Sequence, residues 1–371
     1  MGDQLQLPPV LQGIYPVPAS DTGPQPPRPW SSLLDALRAA QACEPALAAP
    51  PADGEAPVTR AAAPLAACTL LDNHRMCETL ASFCRSPDGI YPSNYAPCDA
   101  PAGDAAAACG CRTKPPGRQT LAACRGGAMR FDVQGRPMPA WAAEVLKEEA
   151  KLVTVRVPAA SVHAPPEHSE AELAAALLRA AAAAWVWDGV LPEPATEAKR
   201  LLAFMERVLV AAPHHRQIDD LKAALRAGVP QLTELKINTV EKQQGQEANL
   251  VLILYGLTDA TAVAGEASFL YSQARLNVSL TRARMKAVFF LTRAVEAPEL
   301  DGSGQGAESV ADGLALLQRV VRVCKAGERS KGEADVAEPQ RGARFVRIVA
   351  AAEDEDTQRS SLAAMMVDQD E

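Results

Sequence analysis

The rhythm of apolar and polar positions changes twice along the chain. From about residue 141 onward, short apolar runs alternate with longer segments in which apolar residues recur every three to four positions. These are the periods of buried strand and of amphipathic helix. KLVTVRV (151–157), RVLVAA (207–212), ELKINTV (234–240), NLVLILYG (249–256) and AVFFLT (287–292) read as strands. SEAELAAALLRAAAAAWVW (169–187), ATEAKRLLAFMER (195–207), a stretch after Pro213 that ends at Gly228, and residues 272–284 read as helices. Ser169 stands three residues before Glu172, the spacing of a capping box. Strands that are apolar on both faces belong in a parallel sheet covered by helices on both sides. The expected class is therefore α/β.

Outside this block the rhythm weakens. Residues 11–64 are rich in Pro and Ala, with one helical island at WSSLLDALRAAQA (30–42). Residues 65–92 regain order: ACTLL, then NHRMCETLASFCRS with helical spacing, then the turn-like GIYPSNY. From 96 to 140 Ala, Gly, Pro and Cys follow without period, as in an exposed insertion. Residues 296–312 read as a linker, GLALLQRVVRVCK (313–325) as a terminal helix, and the tail with EDED at 353–356 as disordered. The expected division is 1–64, 65–295 and 296–371.

Composition narrows the function classes. A net charge of −8 over 371 residues leaves no basic coat for nonspecific nucleic-acid binding, although a narrow cleft needs only a few cations. Nine cysteines, an odd number without a preceding signal peptide, point to reduced thiols and an intracellular address, nucleus or cytoplasm. Cys98, Cys109, Cys111 and Cys124 lack the paired C-x2-C spacing of a structural zinc site, so no metal is assigned. No run of about 18 apolar residues predicts a membrane span.

Four short segments carry candidate chemistry: GDQLQLPP (2–9), LLDNHRM (70–76), NTVEKQQGQEANLVLI (238–253) and RLNVSLTRAR (275–284). The last sets two arginines one residue apart at the end of an apolar run. The plain reading is a solvated basic face. The sharper one is a planar guanidinium fork that meets phosphate.

In this order the segments resemble motifs III, IV, V and VI of superfamily 1 helicases. Within that superfamily they look like the RNA/DNA helicases that include senataxin and the nonsense-mediated-decay helicase. VLVAAPHHRQ (208–217) is similar to the strand-Pro-x-x-x-Gln segment between motifs IV and V of that group.

The resemblance implies the second of two RecA-like P-loop NTPase lobes. ATP would lie between the lobes, and this lobe would reach across with cations. Arg282 would be the arginine finger to the γ-phosphate, Arg75 a second cation there, and Gln6 the γ-phosphate sensor. Gly245 would let the backbone approach the nucleotide, and Glu247 would bind ribose hydroxyls or orient the loop. Thr239, Gln244 and His214 would touch single-stranded RNA or DNA. Arg284, pointing elsewhere, would be structural.

One departure is large. No G-x-x-x-x-G-K-[ST] occurs in the chain, and no DE-type carboxylate pair precedes GDQLQLPP. The first lobe is expected to be missing, ATP and Mg2+ to bind only in a complete two-lobe protein, and this chain alone to be inactive. The other reading is a non-catalytic interaction or regulatory module derived from such a lobe.

Overall fold

The computed structural model describes residues 72–73, 76–85, 90, 96–97, 133, 135–159, 169–187, 197–300, 307–330, 340 and 342–348. The chain divides into two units, 1–71 and 72–371, and all described residues belong to the second. Gln6, Arg75, the island at 30–42 and the four insertion cysteines lie outside the described residues.

The elements in chain order begin with β1 (Asp72–Asn73), α1 (Glu78–Arg85), β2 (Ala96–Pro97), α2 (Ala140–Leu146), β3 (Leu152–Arg156), α3 (Glu170–Trp187) and α4 (Glu197–Met205). Next come β4 (Val208–Ala212), α5 (His215–Gly228), β5 (Lys236–Thr239), β6 (Ala248–Tyr255), α6 (Ala260–Gly265), α7 (Ala267–Leu270) and α8 (Gln273–Thr281). The series closes with β7 (Ala283–Leu291), α9 (Arg293–Glu296), α10 (Ala307–Arg329) and β8 (Ala343–Arg347). The main sheet has six parallel strands in the order β5-β4-β6-β7-β3-β8. The fold is α/β, a parallel sheet flanked by helices, in keeping with a RecA-like P-loop domain.

Burial follows the sequence pattern. All eight residues of β6 are buried, as a central strand requires. Its partner β7 runs in register from Leu250–Lys286 to Tyr255–Leu291. Helix α3 lays Ala174, Ala175, Leu177, Leu178 and Ala180 to Ala183 into the core with no exposed surface. Each alanine buries little area, but its small size lets the helix pack close to its neighbours.

Three features differ from the pattern-based expectation. First, the helix predicted to reach 284 stops at Thr281, and β7 starts at Ala283 rather than 287. The Thr281 hydroxyl turns back to the Asn277 carbonyl, and Ala248 N–H takes the Arg282 carbonyl into the sheet. Arg-Ala-Arg fits either period, so tertiary pairing decided. Second, the same strand carries Lys286, buried, whose Nζ donates to the carbonyls of Val145 (2.6 Å) and Lys147 (2.7 Å). It thereby satisfies the open C-terminal carbonyls of α2. Third, β8 is a sixth strand that the pattern did not announce, paired with β3 along its whole length. It is held by α10, which is longer than the predicted 313–325 segment. That helix also anchors α1: Arg319 donates to the Phe83 carbonyl and lies 4.2 Å over its ring.

Candidate functional site

The loop between β5 and β6 carries most of the candidate residues. Its anchor is Gln243, which is fully buried. The side-chain amide donates to the carbonyls of Val210 (2.9 Å) and Lys236 (3.3 Å), tying the loop to β4 and β5. Gly245 then turns the chain at φ +83°, a left-handed conformation that favours glycine. A Cβ there would meet nothing within 4 Å. The glycine is thus required by backbone shape, and it leaves open space beside the loop.

The end of this loop meets the α8–β7 junction. Arg282 caps the C-terminus of α8 and is only 1% exposed. Its Nε donates to Val278 O (3.0 Å), one terminal nitrogen to Gln246 O (3.1 Å), and the other to the Thr281 hydroxyl (3.2 Å). Arg284 pairs with Glu247, both partly exposed. Cys77 arrives at the same place: its N–H donates to Arg284 O (2.7 Å), and its thiol approaches Met285 O (3.4 Å). Burial pushes the Cys77 thiol up from its ordinary value, so it is a packed thiol rather than a nucleophile. Segments more than 200 residues apart therefore converge at the amino ends of β6 and β7.

A second chain of contacts runs to the carboxyl end of β4. Burial pushes the Glu241 carboxyl up, but the Arg275 hydrogen bond, a backbone N–H and the Thr239 hydroxyl more than offset this and hold it below the usual carboxylate range. Arg275 Nε lies 2.7 Å from Glu241, and its guanidinium stacks 3.9 Å over Phe269. His214 stacks on the same ring at 5.4 Å and sits 3.0 Å from a Glu266 oxygen. Thr239 and His214, chosen separately from the sequence, are thus joined through Glu241, Arg275 and Phe269. Gln244 is exposed on the intervening loop.

Beside His214, Gln217 extends the array. Its amide donates to Glu170 (2.7 Å) and lies 3.4 Å from Leu254 O, and its side-chain oxygen accepts from His214 N–H (3.3 Å). Glu170 also accepts from Gly256 N–H (2.5 Å). A Cβ on Gly256 would lie 2.6 Å from the Glu170 carboxyl carbon, so the contact needs glycine. Burial pushes the Glu170 carboxyl up to about 7, against the lowering effect of the Gln217 and Gly256 hydrogen bonds.

Arg282 reaches the carbonyl of Gln246, which stands between Gly245 and Glu247, while Arg75 and Gln6 lie outside the described residues. Sequence reading missed Gln243, Glu241, Arg275 and Glu170. The first three sit inside or beside the quoted motifs, where only side-chain pairing separates scaffold from surface. Glu170 was legible only as part of a helix start. Among the described residues no group of three or more His, Cys, Asp or Glu could hold a metal ion, and no helix is long and apolar enough to cross a membrane.

Among curated proteins no match to the chain is found. Residues 140–292, from the first residue of α2 to the residue after β7, match the family model described as an AAA domain, which occurs in superfamily 1 helicase-like proteins of the senataxin type. The matched region thus points to a helicase-like, nucleotide-related function.

Proposed function

We propose that this chain provides the C-terminal RecA-like lobe of an ATP-dependent helicase that acts on single-stranded RNA or DNA. One observation carries the reading. The Gly245–Glu247 loop, the Arg282–Arg284 junction and the Met76–Cys77 segment share one edge of the sheet, bound by Arg282–Gln246, Arg284–Glu247 and Cys77–Arg284 contacts.

The open position at Gly245 leaves room for a ligand to approach the backbone, and the buried guanidinium of Arg282 would reach one only after it moves. When bound between two lobes, ATP with Mg2+ supplies the phosphoryl group. Gly245 and Glu247 would line it, and Arg282 would exchange its bonds to Gln246 and Thr281 for phosphate oxygens. Arg75 and Gln6 are assigned to the same task by resemblance. A planar fork aimed at developing charge is worth about 10³–10⁵ in rate. Nucleic-acid contact is assigned to Thr239, Gln244 and His214.

The test mixes the purified chain with an isolated first RecA-like lobe that carries a Walker lysine. Neither part alone should hydrolyse ATP, and the mixture should. Arg282→Lys should cut turnover about 10³-fold. Turnover by the mixture that is indifferent to Arg282→Lys sinks the proposal.

A second reading, a non-catalytic interaction module, draws on the same arginine. All three of its donor-bearing nitrogens already meet oxygens of this chain, as a structural cap requires. On that reading the mixture stays inactive while the two lobes still associate.

A further inference from the structure

The main sheet ends at β8. Among the described residues this strand pairs with β3 on one side and with no strand on the other. Its alternate residues face opposite helix layers. Phe345 looks toward α10, with Arg156 and Lys325 at 5.5 and 5.2 Å from its ring centroid. Val346 and Ile348 belong to the core cluster that α2 and α3 build on the other face. Yet Phe345, Val346, Arg347 and Ile348 all line one groove of about 720 Å³. Consecutive residues of a strand point to opposite faces, so a single groove reaches all four only along the outer edge of the strand.

Trp141 of α2 with Leu173 and Ala176 of α3 forms one wall of the groove, and Glu328 in the last turn of α10 stands on the other. The direction of the backbone along its floor follows from the ladder. Gly342 O accepts from Lys151 N–H (2.7 Å) and Leu152 N–H (3.0 Å) beside β3. By alternation Arg344 and Val346 turn their peptide groups toward β3, and Phe345 turns its own outward. A short strand that carries arginines is guarded against stray pairing by length and charge alone, and β8 has both. Neither feature calls for a groove beside the strand. The groove also has a charge preference. Glu144, Glu172 and Glu328 stand against Arg179 and Arg347. Arg179 is buried and Glu144 pairs with Lys147, so an incoming chain meets Glu172 and Glu328, with Arg347 at the carboxyl end of the strand.

We propose that the outer edge of β8 is a docking site for an extended segment of a partner protein that alternates aliphatic and basic side chains and adds a strand to the sheet. The Phe345 N–H and C=O supply the central main-chain hydrogen bonds, which is how strand addition gains its affinity. Alternate side chains of the guest supply the specificity. Aliphatic ones pack on Leu173, Ala176 and Val346, and basic ones on the opposite face reach Glu328. A strand edge recognises backbone, so an extended chain suits this floor better than a compact small molecule. None of these residues belongs to the Gly245–Arg282 edge, so failure of the ATP reading leaves this proposal standing, and the reverse holds too.

The experiment uses the full chain and fluorescence anisotropy of a labelled octapeptide of alternating lysine and valine, beside its counterpart of glutamate and valine. The lysine peptide should bind about fivefold more tightly at low salt. Two further lysine–valine peptides carry N-methyl groups on alternate residues, one on the lysines and one on the valines. Half of the amides of an added strand point at β8 and half away, so one methylated peptide should lose binding and the other keep it. Glu328→Lys, which the last turn of a helix tolerates, should reverse the preference between the lysine and glutamate peptides. Hydrogen exchange at the Phe345 amide, read in the unaltered chain, should slow when the lysine peptide is saturating. Failure of the lysine peptide to bind, equal binding of the two methylated peptides, a preference that survives Glu328→Lys, or unchanged exchange at Phe345 overturns the proposal. So does an amide already protected in the chain alone, because the edge would then be closed by this chain or by a second copy of it.

Discussion

The two ends of the parallel sheet treat positive charge in opposite ways. At the amino ends of β6 and β7 the arginines are matched one by one: Arg284 with Glu247, and Arg282 with two carbonyls and a hydroxyl. Near the carboxyl ends of β7 and β3, Arg156 and Lys325 share the one carboxylate of Glu296, and Arg293 lowers both of them further. The carboxyl end of β4 lies between these extremes, with His214 set against Glu266 and Arg275 against Glu241. A matched cation is a structural part until something outbids its partner. A crowded one is already raised in energy and gains from any incoming anion. The comparison teaches that the motif arginines and the surface arginines should respond differently to the same substitution.

The largest contrast is expected at Arg282. Arg282→Ala removes three hydrogen bonds from a buried position and leaves carbonyls without a partner. It should cost about 3–4 kcal/mol of stability, read as a lower urea midpoint with an unchanged slope. Arg293→Ala, exposed, should stay within about 0.5 kcal/mol. Equal losses at the two positions would erase the distinction between the edges.

Glu170 offers a test by pH. Its carboxyl rises from 4.5 to about 7 on folding, so the native state holds a proton that the unfolded chain releases. This group therefore leaves stability intact below about pH 4.5 and lowers it as pH climbs toward 7, by up to about 3 kcal/mol. Glu170→Gln, which keeps the shape without the charge, should flatten the melting temperature between pH 5 and pH 7. A wild-type profile as flat as the variant's would contradict the assignment.

Gly245→Ala should be milder, about 1 kcal/mol, because the cost is the left-handed backbone and no atom stands in the way. Its use lies in the separation of effects. A small shift in melting with complete loss of turnover in the two-lobe mixture would mark the glycine as a nucleotide contact.

Smallest of all is Arg284→Gln. The ion pair with Glu247 is more than a third exposed on both sides, so its loss should cost less than about 1 kcal/mol and disappear in high salt. A larger, salt-independent loss would place this pair among the buried ones and blur the contrast.

Much of the fold was legible from pattern. LVLILY (250–255) and VLVAA (208–212) are apolar at every position, and both became central strands of the sheet. Ser169 caps α3 as its spacing implies, with Glu172 N–H 3.2 Å from its hydroxyl. ARFVR (343–347) was not legible, because two arginines in five residues mask a strand that is apolar only where α10 and β3 cover it. Of the candidate site, Gly245, Glu247 and Arg282 were picked out by their place in the motif-like segments. Gln243 was not, since a glutamine in a polar loop gives no sign that it will be wholly buried on two backbone carbonyls.

By itself the sequence determined the periodicities, and with them the alternation of strands and helices and the parallel sheet, because burial on both faces demands apolar residues at every strand position. Only the tertiary structure decided which cations are partnered and which are crowded. Charge pairing depends on distances between residues that are far apart in the chain: Cys77 beside Arg284, and Arg156 beside Lys325 through Glu296. No local pattern encodes those distances.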